Sequence, residues 1–218
     1  MNDARQSQDE SSPPVARARK RGPQIDVELT KQRMSDIVRE AARLFDRIGY
    51  HGVNMEMIAE AAGVRKPTLY HYIRAKDQIL FEIHETIVDR LHGNTQARIA
   101  AGAPALEILK GAVTEIFNLV HDHPGFVRAF FEHFREMNAE NRATLRTRRA
   151  GYVDELVAVM AKGMDDGEVA RADPRVTVLT VLGAANWSYQ WYRPERDGPP
   201  AAIAEQCWKV LEGGLRAT

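Results

Sequence analysis

At 218 residues, 44% of them hydrophobic, the chain has enough apolar material for one large domain or two small ones, and aromatics at 7% leave that core mostly aliphatic. Its 30 basic and 30 acidic side chains cancel, which excludes an overall positive field, so any contact with nucleic acid needs basic charge gathered locally. The single cysteine, Cys207, excludes an internal disulfide framework, no apolar run reaches the ~18 residues of a membrane span, and MNDARQSQDE has no signal-peptide character, so the expectation is a cytoplasmic protein with no membrane partner.

Residues 1–29 are rich in Ser, Pro, Gln and Arg and lack periodicity, which predicts a disordered arm. Between Val15 and Ile25 the arm holds Arg17, Arg19, Lys20 and Arg21 and no acid. That cluster is either a solubilising tail or a strand of charge lying along DNA. From Thr30, Met34, Ile37, Val38, Ala41, Leu44, Phe45 and Ile48 follow helical spacing up to Gly49. Asn54 is placed to cap a short helix from Met55 to about Ala61. Gly63 supplies a tight turn, and a second short helix runs from about Lys66 to Tyr72 with Pro67 in its first turn.

A long helix starts near Ala75, with Ile79, Leu80, Ile83, Ile87 and Leu91 as its stripe, and is expected to fade around Gly93. The next stripe, Leu106 to Val120, breaks at residues 121–125, and Phe126, Val127, Phe130, Phe131 and Phe134 mark another helix. A longer one spans about Asn141 to Met164. The helix opened by Asp173-Pro174 runs to about Tyr192 and is apolar nearly all round, so burial on more than one side is expected. Ile203 to Leu215 is the last. The sequence shows no period-two pattern, so the class is all-α, with about nine helices: a three-helix unit at 30–76, then a helical unit at 77–218 expected to bury a core of its own.

The stretch from Asn54 to Leu80 has the layout of a helix-turn-helix. Ile58, Val64 and Leu69 are spaced to form a small core between two crossed helices, and Ala59 is small enough for close approach. The second helix then projects Arg65, Lys66, Thr68, Tyr70, His71 and Tyr72 outward. Ala61 to Lys76 contains Arg65, Lys66, Arg74 and Lys76 and no acid, the local field that a phosphate backbone requires. Three consecutive ring side chains on one short helix cannot all face a core, whereas a major groove offers them base edges and thymine methyls.

IAEAAGVRKPTLYHYIRAKDQIL, within about residues 31–80, resembles the DNA-binding domain of the TetR family of regulators. The resemblance implies that the second helix is the recognition helix. Arg65, Lys66, Pro67, Thr68, Tyr70, His71 and Tyr72 would then meet the groove of double-stranded operator DNA, Lys76 would hold a phosphate, and Asn54 would set its helix N-terminus against the backbone. Arg65 stands where many members have Ser or Thr, and Asn54 where Thr is usual.

The resemblance also implies that the C-terminal half binds a small ligand and forms a homodimer. A dimer follows independently from the few base pairs that one helix-turn-helix can read. The last two helices, about 174–192 and 201–215, carry Trp187, Trp191 and Trp208, and pairing them with symmetry mates would give a four-helix interface, the alternative being packing within the chain.

Phe117, Phe126, Phe130, Phe131, Phe134 and Tyr152 are candidates for a hydrophobic effector pocket, with Arg146 and Trp187 beside them. The helix holding Arg142, Arg146, Arg148 and Arg149, and the WYRP at Trp191–Pro194, resemble acyl-CoA-responsive members of the family. That implies a CoA thioester with arginines on its phosphates, against the plainer reading of a solvated face.

His121, His123 and His133, with Asp122 and Glu132 nearby, raise the alternative of a helical metal-dependent enzyme or sensor. Cys207 falls on a stripe with Val210 and Leu211 and reads as core. With no nucleophile elbow, phosphate loop or HExxH, the expectation is a regulator without catalytic residues, metal or cofactor. A DNA-binding protein without a ligand switch is the remaining alternative.

Overall fold

In the computed structural model, which describes residues 23–216, the first helix, α1 (Pro23–Ile48), begins seven residues ahead of Thr30. Pro23 opens it, where a missing amide proton costs no helical bond. Val27 and Leu29 on this extension are exposed, so it leaves no apolar stripe for periodicity to detect. The basic cluster at Arg17–Arg21 lies outside the described residues.

Gly49, at φ 76°, ends α1 in the left-handed region. α2 (Met55–Ala61) is capped as expected: the Asn54 Oδ1 accepts from the Glu56 and Met57 amides, each at 3.0 Å. Gly63, at φ 63°, then reverses the chain, and the Val64 amide donates to the Ala59 carbonyl at 2.9 Å. α3 (Lys66–Tyr72) follows. Ile37, Ala41, Phe45, Ile58, Leu69 and Ile79 are all buried beneath this head.

α4 (Lys76–Ala100) does not fade at Gly93. Leu91, Thr95 and Ile99 pack inward on either side of it, and that tertiary contact outweighs the ~1 kcal/mol helix cost of one glycine. α5 (Ala105–Asp122) is the central helix of the C-terminal half, packed by α4, α7 (Ala139–Asp165), α8 (Pro174–Asn186) and α11 (Pro200–Glu212). Its first turn is closed from a distance, since the Glu168 carboxylate accepts from the Ala105 and Leu106 amides at 2.8 Å each.

α6 (Pro124–Glu132) and a 3₁₀ turn at Phe134–Glu136 lie between α5 and α7, while α9 (Ser188–Trp191) and α10 (Pro194–Asp197) are four-residue turns. These two turns raise the described helices above the nine expected. The one strand-like feature among the described residues is an isolated bridge between Val169 and Arg216, so the chain is all-α.

The core is continuous from Ile37 to Trp208, not divided into separate cores for the two halves. Within the single chain α8 buries one side only: Val176 and Leu179 are exposed, as are Trp187, at 62%, and Val210 of α11, at 82%. Trp208, expected on that outer face, is instead 2% exposed and packs within its own chain. Among the described residues no helix is long and apolar enough to cross a membrane.

Candidate nucleic-acid interface and effector cavity

α3 buries one side chain, Leu69. The rest of its surface follows from that single anchor. Arg65, Lys66, Pro67, Thr68, Tyr70 and His71 are exposed, and Arg65, at the N-cap position, makes no capping bond. Tyr72 departs from the outward set. It is half-buried and borders a groove of about 520 Å³ between the head and the C-terminal half.

Lys76, which the resemblance places on a phosphate, is turned toward the head. Its ammonium donates to the Tyr50 and Val53 carbonyls, each at 2.7 Å, and sits 4.1 Å from the centre of the Tyr50 ring. Burial lowers its pKa. Two of its three N–H donors are therefore spent clamping the loop between α1 and α2, and at most one is left for a phosphate.

A cavity of about 220 Å³ lies inside the C-terminal half, walled by α4, α5, α6, α7 and α8. Of the residues expected to form a pocket, Phe130, Phe131 and Tyr152 line it. The others do not. Phe117 is fully buried against Trp191 and Tyr192, Phe126 faces the groove beside α1, and Phe134 stands against Arg146 and Arg149. Arg146 is exposed and lies 5.6 Å from the Phe134 ring centre; Trp187 points outward.

Asn186, which no sequence pattern marks, lines the cavity, and so does Arg149, which the resemblance places on CoA phosphates rather than in the cavity wall. The signal for Arg149 was present, because Leu145, Arg149, Tyr152 and Leu156 fall on one face of α7 at spacings of four, three and four. Its guanidinium lies 3.7 Å from the Phe130 ring centre and donates to the Phe130 carbonyl at 3.1 Å. It also meets the His84 Nδ1 at 2.9 Å, and among the described residues it forms no ion pair. Burial brings its pKa down to about 10. Arg148, one position off the stripe, is paired with Glu85 and Asp89.

His84 is fully buried and stacks on Phe130 with ring centres 4.5 Å apart. Burial, and then the Arg149 charge, pull its pKa from 6.5 down to about 3. Unfolding releases the ring to titrate normally, so the unfolded chain binds the extra proton between those values and stability falls as the pH drops below about 6.5. By about pH 5 the expected loss from this group is about 2 kcal/mol. Urea titrations of the parent and of His84→Phe at neutral and acid pH check this. The variant should lose less stability on acidification, and an unchanged acid sensitivity would contradict the assignment.

The cavity wall reaches the head. Gly125 of α6 presses against α1 so closely that a Cβ there would lie 2.4 Å from the Ala42 carbonyl oxygen. Beside it, Arg128 pairs with Asp46 at 3.3 Å, His133 stacks on Tyr50 with centres 5.3 Å apart, and Asn138 donates to Asp77 at 3.2 Å. Ile87 and Leu119 line both the cavity and the groove that Tyr72 borders.

The three histidines of the metal alternative do not converge. His121 meets the Tyr192 hydroxyl at 3.3 Å, His123 lies beside Phe126, and His133 lies against Tyr50. Among the described residues no group of His, Cys, Asp and Glu could hold a metal ion.

Residues 102–215 match the family described as tetracyclin repressor-like, C-terminal domain, and residues 37–83 match the bacterial regulatory proteins, tetR family. The chain is similar to the HTH-type transcriptional repressor KstR2 of Rhodococcus jostii (strain RHA1), 26% identical over 196 residues covering 88% of this chain and 96% of that protein. It is similar as well to the HTH-type transcriptional activator FasR of Mycolicibacterium smegmatis, 23% identical over 185 residues, 84% of this chain and 83% of that one. The crystal structure of AibR in complex with isovaleryl coenzyme A and operator DNA superposes with a TM-score of 0.72 at 29% identity, over 82% of this chain and 97% of that one.

Proposed function

This chain belongs to the TetR family of ligand-responsive, DNA-binding transcriptional regulators, and from that premise we propose that it is a cytoplasmic homodimeric repressor released from its operator by a small hydrophobic effector, an acyl-CoA thioester or a related acid. The observation that carries this reading is the direct seat of α6, a wall of the effector cavity, on α1 of the DNA-reading head. Residues 30–76 act as the head and 77–218 as the effector and dimer half. Arg65, Lys66, Pro67, Thr68, Tyr70 and His71 face the groove. Val176, Leu179, Trp187 and Val210 meet their symmetry mates across the dimer, since a monomer has little reason to expose so many large apolar groups on neighbouring helices.

An effector that fits the cavity differently in two arrangements of α4 and α6 changes the spacing of the two recognition helices. Operator and effector then weaken each other by the same factor. Tyr70→Ala should weaken operator binding by about 1–3 kcal/mol with little effect on the effector. A fluorescence titration on DNA flanking the gene, with the mass of the complex read by light scattering, checks this. Binding equal to the parent's, or one chain per operator, would contradict the reading, as would operator binding that no thioester or hydrophobic acid reverses.

A further inference from the structure

The cavity is apolar on most of its walls, yet it holds a cation, Arg149, that has no ion-pair partner among the described residues. Every other arginine of α7 is accounted for by exposure or by a partner: Arg146 is exposed, Arg148 binds two acids, and Arg142 donates to the Arg135 and Met137 carbonyls. Arg149 has ring faces, one carbonyl and one imidazole nitrogen around it, and its Nε is buried without a hydrogen-bond partner. None of these neighbours carries negative charge. Ring faces and neutral acceptors offset part of the cost of taking a guanidinium out of water, but a lone buried charge stays expensive until an anion joins it. The Tyr152 hydroxyl, on the next turn of α7, is also buried, with the Thr95 side chain as a polar neighbour, and Asn186 lines the same cavity from α8.

We infer that the effector bears a carboxylate on a compact apolar body, and that this carboxylate is received by Arg149 together with Tyr152 inside the cavity. The inference rests on the effector reading given above and narrows it. A carboxylate accepts from Arg and Tyr donors at once, and the apolar walls of Val88, Leu91, Ile116 and Leu182 take the hydrocarbon. A neutral acyl chain fills the same walls and leaves the half-buried arginine without an anion. Two sources supply this chemistry: a free hydrophobic acid, or a thioester whose acyl chain ends in a second carboxylate.

The test uses the full chain on its operator with octanoate, methyl octanoate, octanoyl-CoA and the mono-CoA thioester of the corresponding dicarboxylic acid. Binding is read by calorimetry and release by fluorescence anisotropy. The acid or the carboxyl-terminated thioester should bind at least about tenfold more tightly than its counterpart lacking that carboxylate, about 1.4 kcal/mol. Which of the two does so identifies the source. Arg149→Met, which keeps the stem and removes the charge, should erase that preference while retaining operator binding, and Arg149→Lys should restore part of it. Tyr152→Phe, which removes only the hydroxyl, should reduce it even if Arg149→Met folds poorly. Equal binding by the parent of the forms with and without the carboxylate, or a preference that survives in Arg149→Met, overturns the inference. If octanoyl-CoA, whose acyl chain ends in no carboxylate, alone releases the operator, the effector reading stands and the carboxylate fails; if no compound releases it, the effector reading itself has failed.

Discussion

Leu69→Ala should abolish operator binding at concentrations where the parent saturates its site, while leaving the effector cavity able to bind. α3 presents seven residues and buries one of them, so the recognition helix is held on the head largely by this side chain. Leu69 is 0% exposed, in the same core as Ile58, Ala59 and Ile73. Removing its three outer carbons from so tight a site typically costs about 2–5 kcal/mol, because the lost burial adds to the cavity left behind. The head can redistribute little of that loss, since α2 and α3 are each only seven residues long. Leu69 lies outside the lining of the effector cavity, whose walls come from α4 to α8. Operator titration should therefore fail while calorimetry with the effector still reports binding. Undiminished operator affinity in this variant would mean that α3 is held by something other than its buried leucine.

Gly125→Ala should damage the coupling between cavity and head more than either part alone. The added carbon would lie 2.4 Å from the Ala42 oxygen and 2.9 Å from its carbonyl carbon, and both are backbone atoms of α1. No side chain can swing away to relieve that contact, so α6 and α1 must part. Overpacking of this kind costs about 1–3 kcal/mol, the same size as a typical coupling between an effector and an operator. The expected result is operator affinity about tenfold or more below the parent's without effector, together with a weaker response to effector, because α6 no longer seats on α1. Anisotropy titrations with and without effector, beside a urea unfolding curve, separate the two effects. Wild-type affinity and wild-type response would mean that the α6–α1 contact does not transmit the signal.

The sequence alone determined those features that depend on near neighbours. Helical spacing of apolar residues, the Asn54 cap, the turn at Gly63 and the outward set from Arg65 to His71 are all properties of a few consecutive residues, and each is present in the fold. Features that depend on distant partners were set by the packing of segments far apart in the chain. The Lys76 ammonium turns inward because its acceptors, Tyr50 and Val53, lie 26 and 23 residues away in the chain. α4 persists past Gly93 because packing beyond it outweighs local propensity. Periodicity put Phe117, Phe130 and Trp208 all on apolar faces, yet one fills the core against Trp191, one lines the cavity and one is sealed beneath α11. Arg149 lay on the buried stripe of α7 in plain view, but its isolation from any acid depends on the elements that meet that stripe, α4 and α6. Spacing along a helix fixes which side chains share a face; only the packing of helices far apart in sequence fixes what that face meets.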